Sequence, residues 1–318
     1  PLEIRASAEV YAEFQRHRLN LLEGELFDSS NLTRIVDDVR RGKSVLVVCN
    51  TVRRAQQAYD QLKRTVDNRV ATVLLHSQFN MRDRSRKEKL IRQYAGKDEH
   101  LRRPVLVVST QVVEVSLDID LDTIYTDPAP LEALVQRFGR VNRRRRSKLA
   151  PVQVFSEPTD GLRVYESDLV AKTLFVLNRE HDKPIDEAAI GDWLDEIYAG
   201  EVAERCQREF AEAAVDFEQS CVQTLRPFAA DEALEKLFYQ AFDGTEVLPA
   251  CLKREFDEIS QNVPILASEL TVPVSYRLFK RLQSCGFIVS PPGTWPNVAE
   301  IPYNSQTGLG FSSEQIDE

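Results

Sequence analysis

The sequence predicts an α/β fold: a mostly parallel sheet with helices on both faces, followed by a mainly helical α+β region. Three observations carry this. Short uninterrupted apolar runs, such as SVLVVC over 44–49 and PVLVV over 104–108, suit strands buried on both faces. Stretches with apolar residues at helical spacing separate them, the alternation that builds a parallel sheet. After Pro158 the pattern changes to helices with acidic outer faces.

Taken in order, Leu32, Ile35, Val36 and Val39 mark a helix that Ser30 or Asn31 would cap and Gly42 would stop. Val45–Cys49 reads as a strand, then a helix follows with Ala55, Ala58, Tyr59 and Leu62 on one face. Val70–Leu75 is a second strand, Arg82–Tyr94 a helix, Val105–Ser109 a third strand and Thr123–Thr126 a short fourth. Leu131, Leu134, Val135 and Phe138 mark another helix, and Val152–Phe155 a last strand. Beyond Pro158, Leu162–Leu177, Glu187–Tyr198 and Asp231–Phe242 read as helices, with Gly200 a stop. Val272, Val274, Tyr276 and Leu278 alternate as in a strand, which Pro273 confines to a sheet edge. PPGTWPNVAEIPYN reads as loop.

Composition bounds the function. The chain has 318 residues, 42% hydrophobic and 29% charged, with a net charge of −9, an ordinary globular balance of a size that suggests two domains. No apolar run nears the ~20 residues of a membrane span, and the start shows no secretory signal. Five scattered cysteines without a CxxC suit reduced thiols and a cytoplasmic setting. The charge is divided: residues 1–150 carry 28 Lys+Arg against 20 Asp+Glu, and residues 151–318 carry 13 against 30. A polyanionic partner is therefore expected on the first half.

Several strings imitate motifs. Arg41-Gly42-Lys43-Ser44 ends like a phosphate-binding loop, but Asp37 replaces the first glycine and a strand follows. His181-Asp182 has too few companion His residues, four in the chain, for a metal-dependent phosphohydrolase. Asp231-Glu232-Ala233 opens a helical pattern, where acidic residues favour the macrodipole.

The informative string is Gln136-Arg137-Phe138-Gly139-Arg140-Val141-Asn142-Arg143. Helical spacing would put Gln136, Arg140 and Arg143 on one face, and guanidinium forks pair with phosphate oxygens. The strand ends bear Asn50-Thr51, His76-Ser77 and Thr110-Gln111, donors suited to a nucleic-acid backbone. Arg82, Arg84, Arg86, Lys87 and Lys89 would add charge. Thr51 is equally readable as a helix cap, and Phe79 and Phe138 as core.

The string resembles motif VI of superfamily 2 helicases, and Val108 to Asp120 resembles motif V. More closely, Asn50-Thr51-Val52, Leu75-His76-Ser77-Gln78-Phe79 and Thr110-Gln111-Val112-Val113-Glu114-Val115-Ser116-Leu117-Asp118-Ile119-Asp120 are similar to the CRISPR-associated helicase–nuclease of type I interference systems. Tyr303 to Leu309 echoes a late motif of that family with one extra residue, and Gln78 departs from its usual Arg. The resemblance implies a second RecA-like domain over 30–158, a linker from a first such domain over 1–29, and linker helices with an accessory domain over 159–318.

It also implies roles. Gln136, Arg140 and Arg143 would face the phosphates of ATP, the arginines as fingers, and Asp118 the ribose. Asn50, Thr51, His76, Ser77, Arg82, Arg84, Thr110 and Gln111 would hold single-stranded DNA. No phosphate-binding loop or strand-borne Asp-Glu pair is present to hold ATP and Mg2+. The resemblance places them in the first RecA-like domain, after an HD nuclease domain. The implied activity is 3'-5' ATP-dependent translocation on target DNA with the Cascade complex as partner. Another superfamily 2 motor and a non-catalytic binding module on a helicase-like fold are the alternatives.

Overall fold

The structure is a computed structural model that describes residues 6–115, 117–157, 164–223, 244–291 and 293–310. Two compact units divide the chain: Pro1–His76 with Ser85–Ala199, and Ser77–Arg84 with Gly200–Glu318.

The first unit is built on six parallel strands, β1 (His17–Leu22), β2 (Val45–Val48), β3 (Ala71–Leu75), β4 (Val105–Ser109), β5 (Thr123–Thr126) and β6 (Ala150–Phe155), in the order β1-β6-β5-β2-β4-β3. Successive side chains of a strand point to opposite faces, and every residue of β2, β4 and β5 is buried. Both faces of the sheet centre are therefore covered, the arrangement the apolar runs predict. The chain leaves β2 toward β3 and β4 on one side, then crosses to β5 and β6 on the other. The ends of β4, β2 and β5 thus stand side by side at the switch in strand order, where such sheets gather ligands.

The helices obey their sequence signals with local differences. Asp28, rather than Ser30 or Asn31, stands at the N-cap position of helix α2 (Ser29–Arg40), its carboxylate accepting Glu25 N–H instead of a helix amide; Asn31 is buried and its Nδ2 donates to the carbonyls of Glu23 and Glu25. Gly42, at φ +82°, ends the helix in the left-handed conformation that glycine favours. Helix α3 (Val52–Thr65) is capped by Thr51, whose Oγ1 accepts Arg54 N–H at 3.3 Å. Helix α4 spans Met81–Ala95, α5 Leu131–Phe138, α6 Ser167–Arg179 and α7 Ala189–Ile197; Leu162 lies outside the described residues. Phe79 and Phe138 are core.

One difference is larger. The stretch 1–29, read as linker, holds helix α1 (Ala8–Phe14) and strand β1, which pairs with β6 along six positions. His17–Leu22 carries His, Arg and Asn among its leucines, so its hydropathy does not resemble the buried strands. Its edge position makes that composition acceptable.

In the second unit, strand β7 (Thr245–Pro249) pairs antiparallel with β8 (Val272–Val274) and parallel with β9 (Asn297–Ala299). Pro273 does sit on an edge strand. The strand stops at Val274, however, because Ser275 caps a helix over Tyr276–Ser284, its Oγ accepting Leu278 N–H at 3.1 Å. The segment read as loop contains β9 and strand β10 (Tyr303–Asn304), paired with β11 (Gly308–Leu309). One face of β7 buries Val247 among Val272, Leu282, Ile301 and Leu309, and the other buries Leu248 against Phe256 and Leu270. Helix α8 (Glu201–Phe217), unforeseen in the sequence, exposes most of its residues, with Val202 its one buried position. Asp231–Phe242, with Asp231-Glu232-Ala233, lies outside the described residues.

Candidate functional site

At the carboxyl edge of the first unit's sheet, one arginine gathers four segments. Arg137 has no solvent exposure. Its Nε donates to Glu114 Oε1 (2.8 Å) and Nη1 to Thr126 Oγ1 (2.8 Å) and the Asp127 carbonyl (3.1 Å). Nη2 donates to Asn50 Oδ1 and Tyr165 Oη (3.1 Å each). A guanidinium has five N–H groups, and all five are used here. Beside it, Arg54 Nε bonds both carboxylate oxygens of buried Asp127 (3.1 and 2.9 Å), and its Nη2 pairs with Glu25 at 2.9 Å.

Asn50 is absorbed by this network. Its N–H donates to Asp127 Oδ2 (3.1 Å) and Nδ2 to the Pro128 carbonyl (2.8 Å), while its own carbonyl accepts Gln111 Nε2 (2.9 Å). Both residues therefore hold strand-end loops together. Gln111 and Glu114 are the two ends of a short 3-10 turn (Gln111–Glu114) that follows β4, so Asn50 fastens one end and Arg137 the other.

The arginine turn lies just beyond α5. The helix ends at Phe138, and Gly139 and Val141 N–H groups return to Val135 and Phe138 carbonyls. Asn142 then takes a left-handed conformation, φ +47°. Gln136, Arg140 and Arg143 thus do not share one helical face, because the helix stops before the last two. Gln136 and Arg143 are exposed. Arg140 is half-buried, its Nη1 donating to the Leu117 carbonyl (2.6 Å) and Nη2 to that of Glu114, while its Nε is buried without a partner. Burial and the neighbouring Arg143 charge lower the Arg140 pKa.

Asp118 faces this turn. Lys97 Nζ is 3.2 Å away, Arg144 Nη2 3.0 Å and Arg143 Nη1 3.8 Å. Partial burial pushes its carboxyl upward, but Lys97, Arg144 and Arg143 together hold it below its ordinary range. Asp120, buried, accepts the backbone N–H groups of Arg143 (2.7 Å) and Arg144 (3.2 Å), fixing where the turn points. Arg140 spends two donors on neutral carbonyls and Arg143 shares one carboxylate with two other cations. The locality is short of negative charge, a condition that attracts an anion such as phosphate. Its carboxylates are committed to cations and amides, and among the described residues no group of three or more His, Cys, Asp and Glu could hold a metal ion.

The remaining expected contacts are scattered. Thr110 and His76 are buried in the first unit, and Thr51 is spent as a cap. Ser77 is exposed and Arg84 half-exposed, and both belong to the second unit with Arg82. There Arg82 Nη1 pairs with Glu255; the hydrogen bond to Glu255 is the main cause raising its pKa. Tyr303 Oη donates to Asp83 Oδ2 (2.7 Å) and accepts Asn80 N–H (3.3 Å). Asn80 caps α4 through Asp83 N–H at 2.8 Å.

Sequence reasoning passed over Arg137, Asp127, Arg54, Glu114, Asp120 and Tyr165. Arg137, Glu114 and Asp120 stood inside the quoted motifs, so their strings held the signal. Asp127, at the end of β5, belonged to no motif, and only strand order brings it beside Asn50.

Comparison with known proteins places this geometry. Residues 41–146 match the family described as CRISPR-associated nuclease/helicase Cas3, C-terminal. A putative CRISPR-associated nuclease/helicase Cas3 of Methanocaldococcus jannaschii is 33% identical over 172 residues, 52% of this chain and 23% of that protein. The CRISPR-associated endonuclease/helicase Cas3 of Escherichia coli is 31% identical over 184 residues, 54% and 21%. The chain therefore spans less than a quarter of the length of these curated relatives. In fold it is similar to a crystal structure of T. fusca Cas3-AMPPNP, TM-score 0.69 at 18% identity, over 98% of this chain and 43% of that one. A chain of a CRISPR RNA-guided surveillance complex, pre-nicking, is similar with TM-score 0.65 at 18% identity, over 93% and 44%. No described helix is long and apolar enough to cross a membrane.

Proposed function

We infer that this chain, which belongs to the Cas3 family and corresponds to its C-terminal helicase region, supplies one wall of an ATP-hydrolysing motor on single-stranded DNA. The observation that carries this reading is the under-compensated Arg140–Arg143 pair beside Asp118. Arg143 is exposed, its backbone N–H is fixed by Asp120, and its guanidinium has only the long 3.8 Å pairing to the shared Asp118 carboxylate, which leaves it available to a triphosphate brought by a facing domain. Arginine fingers of this kind stabilise charge on the transferring phosphoryl group and are typically worth ~10³–10⁵ in rate.

In this reading the first RecA-like domain holds Mg2+ and most of ATP, and the HD nuclease domain lies before it. Asp118 holds the ribose, and Gln136 orients at the phosphates. Of the expected backbone grips, the exposed Ser77 meets the DNA backbone, while Thr110 and His76 are buried and act by supporting their own strand-end loops. Hydrolysis moves the strand 3'-5', unwinding target DNA in type I interference. The surveillance complex named among the structural neighbours supports Cascade as partner; the cytoplasmic setting is part of the same proposal.

The test supplies the first RecA-like domain and measures ATP hydrolysis with single-stranded DNA. Stimulated turnover that is lost in Arg143→Ala supports the reading; turnover unchanged by that substitution refutes it. One observation favours a second reading, a non-catalytic module: the Asn50 and Gln111 side chains are spent on internal hydrogen bonds. That module would bind DNA with no stimulated hydrolysis in the assembled protein. RNA in place of DNA as stimulant separates the first reading from another superfamily 2 motor.

A further inference from the structure

The turn that carries Arg143 is held by the chain segment entering β1, through three independent contacts. His17, 2% exposed, places Nε2 2.8 Å from the Val141 carbonyl. Burial lowers its pKa to about 4, so at neutral pH the ring is uncharged and Nε2 donates. Next, the Arg16 carbonyl accepts Asn142 Nδ2 at 3.0 Å. Finally, the Arg145 guanidinium lies 4.4 Å from the centre of the Phe14 ring. Residues 14–17 thus embrace residues 141–145 from one side.

Asn142 is the link. Its Nδ2 also donates to the Ser147 carbonyl (2.8 Å), and its Oδ1 accepts Ser147 N–H (3.1 Å). One side chain therefore closes the loop 142–147 and fastens it to Arg16. Its left-handed backbone suits Asn, which tolerates φ > 0 better than most residues. Arg145 is also left-handed, φ +53°. A loop with two such residues persists only where its surroundings hold it.

We propose that Asn142 is a positioning residue that ties the arginine turn to the segment preceding β1, so that displacement of this segment moves Arg143. The proposal rests on reading Arg143 as the phosphate-facing group. In that reading the segment before β1 joins the two halves of the nucleotide cleft. Opening and closing of the cleft then acts on the arginine turn through Phe14 and Arg16, and through His17 at the very start of β1. Nothing in the motif spacing indicates this, because the tie joins positions 126 apart in sequence.

The test uses Asn142→Gly, which keeps the left-handed backbone accessible and deletes the bridges, and Phe14→Ala, which touches neither the sheet core nor the site. With the first RecA-like domain supplied, Asn142→Gly should lower kcat for DNA-stimulated ATP hydrolysis ~10–100-fold while KM for ATP stays within ~2-fold. Phe14→Ala should lower kcat ~2–5-fold in the same manner. Amide hydrogen exchange on the 318-residue chain provides the second readout: Arg145 and Ser147 should exchange faster in both variants. Wild-type kcat in both variants, or a loss carried by KM, overturns the proposal. If the wild-type assembly hydrolyses no ATP, the functional reading has failed. Exchange then decides the tie alone: faster exchange in Phe14→Ala upholds it, and unchanged exchange overturns it.

Discussion

Replacing Arg137 with lysine should unfold the first unit far more easily, although the charge is kept. The five acceptors around Arg137 come from Glu114, Thr126, Asp127, Asn50 and Tyr165. A lysine ammonium has three donors on a single point and cannot fork. At least two acceptors are left unpaired in a site with no solvent exposure. Each such loss costs ~1–3 kcal/mol, so Arg137→Lys should cost ~2–6 kcal/mol. Arg137→Met goes further, leaving Glu114, whose side chain is 11% exposed, without its ion-pair partner, a loss of ~3–5 kcal/mol before the neutral acceptors are counted. Urea melting followed by far-ultraviolet circular dichroism measures this, with Arg143→Ala as the exposed control expected within ~0.5 kcal/mol of wild type. An Arg137→Lys midpoint equal to wild type would refute the reasoning, since lysine would then have satisfied the network.

Three further expectations follow from the same contacts. His17 has a folded pKa of about 4 against the ordinary 6.5; between these values the unfolded chain binds more protons, so stability falls by ~3 kcal/mol as pH drops from 7 to 4. His17→Gln, melted across that range, should flatten this slope. Arg82→Ala removes only a partly exposed ion pair with Glu255 and should cost under ~1 kcal/mol; if Arg82 also meets a DNA phosphate, the salt dependence of DNA binding should fall by about one unit of slope. Tyr303→Phe loses a hydrogen bond to buried Asp83 and one from Asn80 N–H, and thermal melting of the second unit should register ~1–3 kcal/mol.

The β-sheet and the strand-end positions were legible because the chain states them locally. Val45–Val48 and Val105–Ser109 are continuous apolar runs, and a segment buried on both faces has no polar side to disguise it. Thr51 could be read two ways from its sequence, and its hydroxyl caps α3. Strand β1 was illegible: an edge strand tolerates Arg18 and Asn20, so its hydropathy resembles a linker. The same holds for Tyr276 and Leu278, whose alternation suits a strand until Ser275 offers its hydroxyl to Leu278 N–H and begins a helix.

By itself the sequence determined which residue types stand at each strand end and that a guanidinium-rich turn follows α5, since both depend on local pattern. What the tertiary structure decided was their division of labour. Arg137 and Arg140 lie three residues apart in one string, yet the first is sealed among five acceptors and the second holds carbonyls beside an exposed Arg143. Burial, and the acceptors that strand order brings within reach, set that difference. A one-dimensional spacing cannot encode either.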